Sequence, residues 1–250
     1  MPHVNFIETS PANNLAEYVE AFWHCQITET GVLRLMPTAS CDLMIHSSSE
    51  DMKVVLIGPM MTAQTTLLRP GDLFIGARFR PGCRVTLTKE SFALLRDSKV
   101  SDFSKELVQL GYFEKSIQGD TYTVILSKLP HLIEACIKEG VITRDPIVDM
   151  FLDQVEERSD MQKIADILEN LPISSRQFRR RFKQFTCLTP KEFLRLHRQK
   201  YATEDIKQSG MTITNIASLH GYADHAHFSH EFQSLVGVSP SDLEKELTLK

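Results

Sequence analysis

The rhythm of apolar and polar positions changes twice along this chain of 250 residues. Up to about residue 90 the apolar runs are short and often alternate. Residues 21–28, 32–36, 42–46, 53–57 and 73–79 read as strands, because side chains two apart share one face of a strand. Gly31, Pro37, Gly58-Pro59, Pro70-Gly71 and Pro81-Gly82 separate them as turns. Such a series predicts a small barrel or sandwich, which either holds a small ligand or is filled by its own side chains. From 90 to 158 the spacing becomes helical, over 90–98, 102–110, 121–139 and 147–157. Ile125, Leu129, Leu132, Ile133 and Cys136 make a stripe that suits packing on the strands or a dimer seam. Asp145-Pro146 is a helix start, and it divides 1–144 from 145–250. The expected fold class is α+β. A β-rich, barrel-like domain with a helical extension precedes an all-α domain.

The third rhythm begins at Ser174. Phe178, Phe182 and Phe185 fall on one side of a helix, and Arg176, Arg179, Arg180 and Lys183 gather on the other. One side is made for a core and the other for an anion, although a solvated surface helix has the same pattern. A repeat favours the first reading. Phe178, Phe182, Phe185, Pro190 and Phe193 recur fifty residues on as Phe228, Phe232, Leu235, Pro240 and Leu243. A short apolar helix precedes each copy, at 161–168 and 213–220, so each is a helix-turn-helix. An uninterrupted helical stretch, 190–208, joins the two.

Charge sharpens this picture. The chain carries a net charge of −4, yet between residues 176 and 200 there are nine basic residues and only Glu192 as an acid. A focused basic patch in an acidic protein suits a polyanion. Five cysteines without paired spacing suggest reduced, buried thiols and a cytoplasmic protein. No apolar run is long enough to span a membrane, and no secretory signal is visible at the N-terminus. His24, Cys25, Cys41, His46 and Cys83 are the candidate metal ligands, but they lie on separate segments without ligand spacing, so no metal site is expected. Arg78 and Arg80 could clamp a carboxylate or phosphate, or face solvent. Nothing marks Ser40 or Cys41 as an activated nucleophile. No catalytic set and no cofactor are expected.

The pattern Ser174-x3-Phe178-x-Arg180-x-Phe182-Lys183, Thr189-Pro190, Arg198-x3-Ala202, Ile213-x2-Ile216-Ala217-x3-Gly221-Tyr222, Phe228-Ser229-x2-Phe232 and Gly237-Val238-Ser239-Pro240 resembles the AraC/XylS family of bacterial transcription regulators. Phe22-Trp23, Pro37-x3-Cys41-Asp42-Leu43, Gly58-Pro59 and Gly76-x-Arg78-Phe79-x-Pro81-Gly82 resemble a module found on some regulators of that kind. The resemblance implies two helix-turn-helix units reading successive major-groove segments of promoter DNA. It implies a sensing or dimerising N-terminal domain, with a small-molecule effector, a homodimer, or RNA polymerase contact in an activator. By position it assigns base reading to Arg176, Arg179, Arg180, Ala226, His227 and His230. It assigns backbone contacts to Ser175, Lys183, Lys191, Arg195, Arg198, Lys200, Ser229 and Gln233. Arg181 lies toward the side of its helix. The family usually has Arg where this chain has His230, so the second reader is expected to contribute weakly or to work by neutral hydrogen bonds and shape. The rival reading is a small-molecule-binding or catalytic barrel whose helical tail binds a protein partner.

Overall fold

The computed structural model describes residues 4–48, 52–86, 92, 95–97, 101–102, 122–156, 164–208 and 210–248. The strands are β1 (Val4–Thr9), β2 (Val19–Ile27), β3 (Gly31–Leu35), β4 (Asp42–Ser47), β5 (Met52–Ile57), β6 (Gln64–Leu68), β7 (Leu73–Phe79), β8 (Arg84–Val85), β9 (Ser101–Asp102) and β10 (Ile142–Thr143). The helices are α1 (Tyr122–Lys138), α2 (Pro146–Glu156), α3 (Ile164–Glu169), α4 (Ser175–Thr186), α5 (Pro190–Gln208), α6 (Ile213–Leu219), α7 (His225–Val236) and α8 (Pro240–Thr248). Most of the helices expected over 90–98 and 102–110 lies outside the described residues, but residues 95–97 are described and form a turn ending in Asp97 at φ 49°, not the expected helix. At the expected start of the 102–110 helix, Asp102 instead pairs as part of strand β9.

The main sheet is antiparallel, in the order β1-β2-β7-β4-β5-β9. Alternation sends Phe22, Leu43, Ile45, Ile75, Ala77 and Phe79 to one face. There they form a core with Ile125, Leu129, Leu132, Ile133 and Cys136 of α1. The stripe on α1 is therefore packing against the sheet. On the opposite face Trp23, Cys25 and Ile27 meet Leu68 of β6, with Leu33 of β3 packed alongside. The barrel-like expectation is corrected in one respect. β3 and β6 pair with each other and not with the sheet edges, so the main sheet stays open and a two-stranded layer covers part of one face.

The helical domain has two cores. Val148, Phe151, Leu152 and Val155 of α2 pack with Phe178 and Phe182 of α4 and Phe193 of α5. Ala202 and Ile206 at the far end of α5 pack with Ile216 of α6, Phe228 and Phe232 of α7 and Leu243 of α8. α5 thus belongs to both units. Among the described residues no helix is long and apolar enough to cross a membrane.

Candidate nucleic-acid interface

The fifty-residue repeat extends to the helix ends. Ser174 caps α4: its hydroxyl accepts the Gln177 N–H at 3.3 Å, and the Gln177 side chain returns to the Ser174 N–H at 3.2 Å. Asp224, fifty residues later, caps α7 by accepting the His227 N–H at 2.7 Å. Cys187 and Gly237 close these helices in the left-handed conformation, at φ 61° and 83°. The next helices are capped at matching positions: Thr189 and Glu192 form a reciprocal capping box, and Ser239 accepts the Asp242 N–H while its hydroxyl donates to the Asp242 carboxylate. Caps of this kind satisfy amides left free at a helix start, so the twelve-residue helices α4 and α7 are set in matching frames.

Phe178 and Phe182 are fully buried, and their ring centroids lie 5.4 Å apart. Phe228 and Phe232 repeat this at 5.5 Å. With these faces committed to the cores, the opposite faces are fixed toward solvent. On α4 that face carries Arg176, Arg179, Arg180 and Lys183, all exposed. No described acid pairs with any of the four or with the exposed Lys191. The equivalent positions on α7 are Ala226, Ser229, His230 and Gln233. Two helices with one geometry therefore present different charge. Ser175 is exposed at the start of α4. His227 is exposed, with its ring 5.5 Å from that of Tyr222.

The remaining assigned cations have carboxylate partners. Arg195 Nε lies 3.4 Å and Arg198 Nη2 3.9 Å from Glu231 of α7. Lys200 Nζ donates to Glu20 of the sheet domain at 2.9 Å. Burial works against the charge on Glu20, but Lys200, Arg78 and Ser40 outweigh it and hold its carboxyl below the usual range. Arg181, turned aside from the exposed basic face, binds the buried Asp145. That Arg181 contact and Glu231 do not stand out in the sequence by charge or motif. Their signal is the repeat itself, because residues 181 and 231 are fifty apart.

A groove of about 300 Å³ runs beside α4, lined by Asp145, Ile173, Gln177, Arg180, Arg181, Gln184 and Phe185. In the sheet domain, His46 pairs with Asp72 and stacks on Phe74, while Cys25, Cys41 and Cys83 lie in apolar clusters. Arg78 reaches Glu8 and Asp42, and Arg80 donates to the Ala16 carbonyl.

Comparison with known proteins finds two separate matches along the chain. Residues 167–246 match a model described as a helix-turn-helix domain, and residues 7–101 match one described as a domain of unknown function, DUF6597. Over 78 residues the chain is 33% identical to YidL of Escherichia coli, an uncharacterized HTH-type transcriptional regulator, covering 31% of this chain and 26% of the relative. Over 91 residues it is 34% identical to the HTH-type transcriptional activator RhaS of Escherichia fergusonii, covering 36% and 32%. The matched region spans only about a quarter to a third of these two relatives. Among solved structures, the C-terminal domain of AraT, a response regulator from Geobacillus stearothermophilus, is 26% identical over 41% of this chain and 86% of that one, with a TM-score of 0.38. ToxT from Vibrio cholerae is 13% identical over 98% of each chain, with a TM-score of 0.47. The C-terminal domain is thus a helix-turn-helix domain similar to those of HTH-type transcriptional regulators.

Proposed function

We propose that this protein is a sequence-specific DNA-binding transcription regulator whose first helix-turn-helix supplies most of the charge-driven affinity. One observation carries the reading: Arg176, Arg179, Arg180 and Lys183 share an exposed face of α4 without a described acidic partner, while the other face is anchored by fully buried Phe178 and Phe182. A helix so anchored can enter a major groove, and an arginine there bonds two acceptors of guanine at once. In this reading Arg176, Arg179 and Arg180 read bases, and Ser175, Lys183 and Lys191 hold phosphates. On α7, Ala226, His227 and His230 read by contact and neutral hydrogen bonds, and Ser229 and Gln233 meet the backbone. Arg195, Arg198 and Lys200 join the phosphate contacts only by leaving Glu231 and Glu20. The N-terminal domain modulates activity, through a small-molecule effector or through dimerisation, and an activator would also touch RNA polymerase. A cytoplasmic location fits this work.

Salt tests the reading. Each neutralised phosphate steepens the fall of log affinity with log salt by about 0.9. Lys183 and Lys191, the two cations assigned to phosphates that have no described acidic partner, give an expected slope of about −2 on duplex DNA. A slope near zero would remove DNA as the partner and favour a protein partner for the helical domain.

A further inference from the structure

The offset that relates the two units also relates their ion pairs, with the charges exchanged. In the first unit the cation is on the recognition helix: Arg181 of α4 binds Asp145 at the start of α2. In the second the acid is on the recognition helix. Glu231 of α7, fifty residues after Arg181, takes Arg195 of α5, fifty residues after Asp145. Both pairs span 36 residues. In both, the carboxylate is the sheltered member, with side chains 4% exposed at Asp145 and 13% at Glu231. Asp145 Oδ1 also accepts the N–H groups of Ile147 and Val148, at 3.0 and 3.2 Å. Glu231 has Arg198 as a second cation and accepts the Tyr222 hydroxyl at 3.5 Å. Arg198 in turn lies over the Tyr222 ring at 5.1 Å.

We infer that Asp145, Arg181, Arg195 and Glu231 are positioning residues that fix each recognition helix to its own unit, and that the reversed signs keep the two docking sites from being exchanged. The inference rests on the regulator reading, since the seating of α4 and α7 matters for function only if they enter grooves. Two similar units in one chain risk assembling on each other's elements. Seating α4 on α5 would bring Arg181 against Arg195 and Arg198. Seating α7 on α2 would bring Glu231 against sheltered Asp145. Like charges brought together at a partly sheltered site penalise the wrong arrangement, and a sheltered carboxylate without its cation is penalised further.

Two double variants of the full chain test this, and both keep the net charge of the wild type. Glu231→Arg with Arg195→Glu restores a complementary pair within the second unit. Glu231→Arg with Arg181→Glu sets like charges together in both units, because position 231 then meets Arg195 and position 181 meets Asp145. DNA affinity by fluorescence anisotropy, with helix content checked by circular dichroism, should fall by less than about tenfold in the first double, where the restored pair leaves only the phosphate contact of Arg195 lost. The second should lose at least about tenfold, since unchanged net charge excludes a long-range effect. Equal affinity of the two doubles would overturn the inference. Urea unfolding of wild type, both Glu231/Arg195 single variants and their double reads the same coupling without DNA. If wild type bound no DNA, the regulator reading would fall, and additive unfolding free energies in this cycle would separately overturn the pairing.

Discussion

The backbone N–H of Ala63 donates to the carbonyl of Leu235 at 2.7 Å, joining a loop of the sheet domain to the last turn of α7. The loop belongs to an arch in which Thr38 and Met60 exchange backbone hydrogen bonds of 3.0 and 2.9 Å. Ala39 and Met61 pack on the core of the first unit, and Met36 packs on that of the second. Arg34 adds an ion pair with Glu246 of α8 at 2.9 Å. The sheet domain thus holds both helix-turn-helix units. Ala63→Pro removes the donor and leaves a terminal helix carbonyl without its partner, at a cost of about 1–2 kcal/mol. Hydrogen exchange should then quicken in α7 and remain unchanged in α4. Equal quickening in both helices would mean that the arch does not act locally.

Histidine 197 gives a pH dependence with a definite sign. His197 sits on α5 between Phe193 and Tyr201, with ring centroids 5.8 and 4.7 Å away. Burial, with Lys200 and His220 adding like charge, pushes its pKa down to about 4. Between about 4 and 6.5 the unfolded chain therefore binds the proton that the folded chain refuses, and stability is lost as the pH falls through that window. Asp42 opposes this. Burial, only partly offset by Arg78 and Trp23, pushes its carboxyl up to about 6, so its protonation favours the folded state as the pH falls. His197→Phe should remove the first contribution, worth roughly 2–3 kcal/mol at pH 4.5 relative to pH 7. Urea midpoints at the two pH values measure it, and an unchanged difference between them would contradict the assignment.

Gly76 gives the sheet a readable defect. A Cβ there would lie 2.4 Å from Cζ2 of Trp23, the single tryptophan of the chain. The indole donates to Asp42 at 2.7 Å, so it is held from both sides. Gly76→Ala should cost about 1–3 kcal/mol by overpacking and should shift the tryptophan emission. A variant with wild-type stability and emission would mean that Trp23 can move aside freely.

Much of the architecture is legible in the chain. Turn residues and alternation locate β2, β3, β4, β5 and β7, and the recurring aromatics locate α4 and α7. β1 escapes such a reading because Phe6 and Ile7 are exposed on an edge strand, so its alternation carries no burial signal. β6, Gln-Thr-Thr-Leu-Leu, escapes it because only Leu68 of its five residues is buried. Strand order is not legible, since pairings such as β2 with β7 join distant segments. At the candidate site, the basic face of α4 is visible as spacing and charge. The partners of Arg195, Arg198 and Lys200 are not, because Glu231 and Glu20 approach them only through the tertiary fold.

The central claim is that the exposed face of α4 reads DNA sequence, and Arg180→Ala tests it most directly. Anisotropy would be followed on fragments from upstream of the protein's own and neighbouring genes, with random competitor present. The account predicts that wild type holds one fragment through excess competitor and that Arg180→Ala loses about 1–3 kcal/mol on that fragment, with little change on random DNA. Equal binding of wild type and variant to every fragment would contradict it.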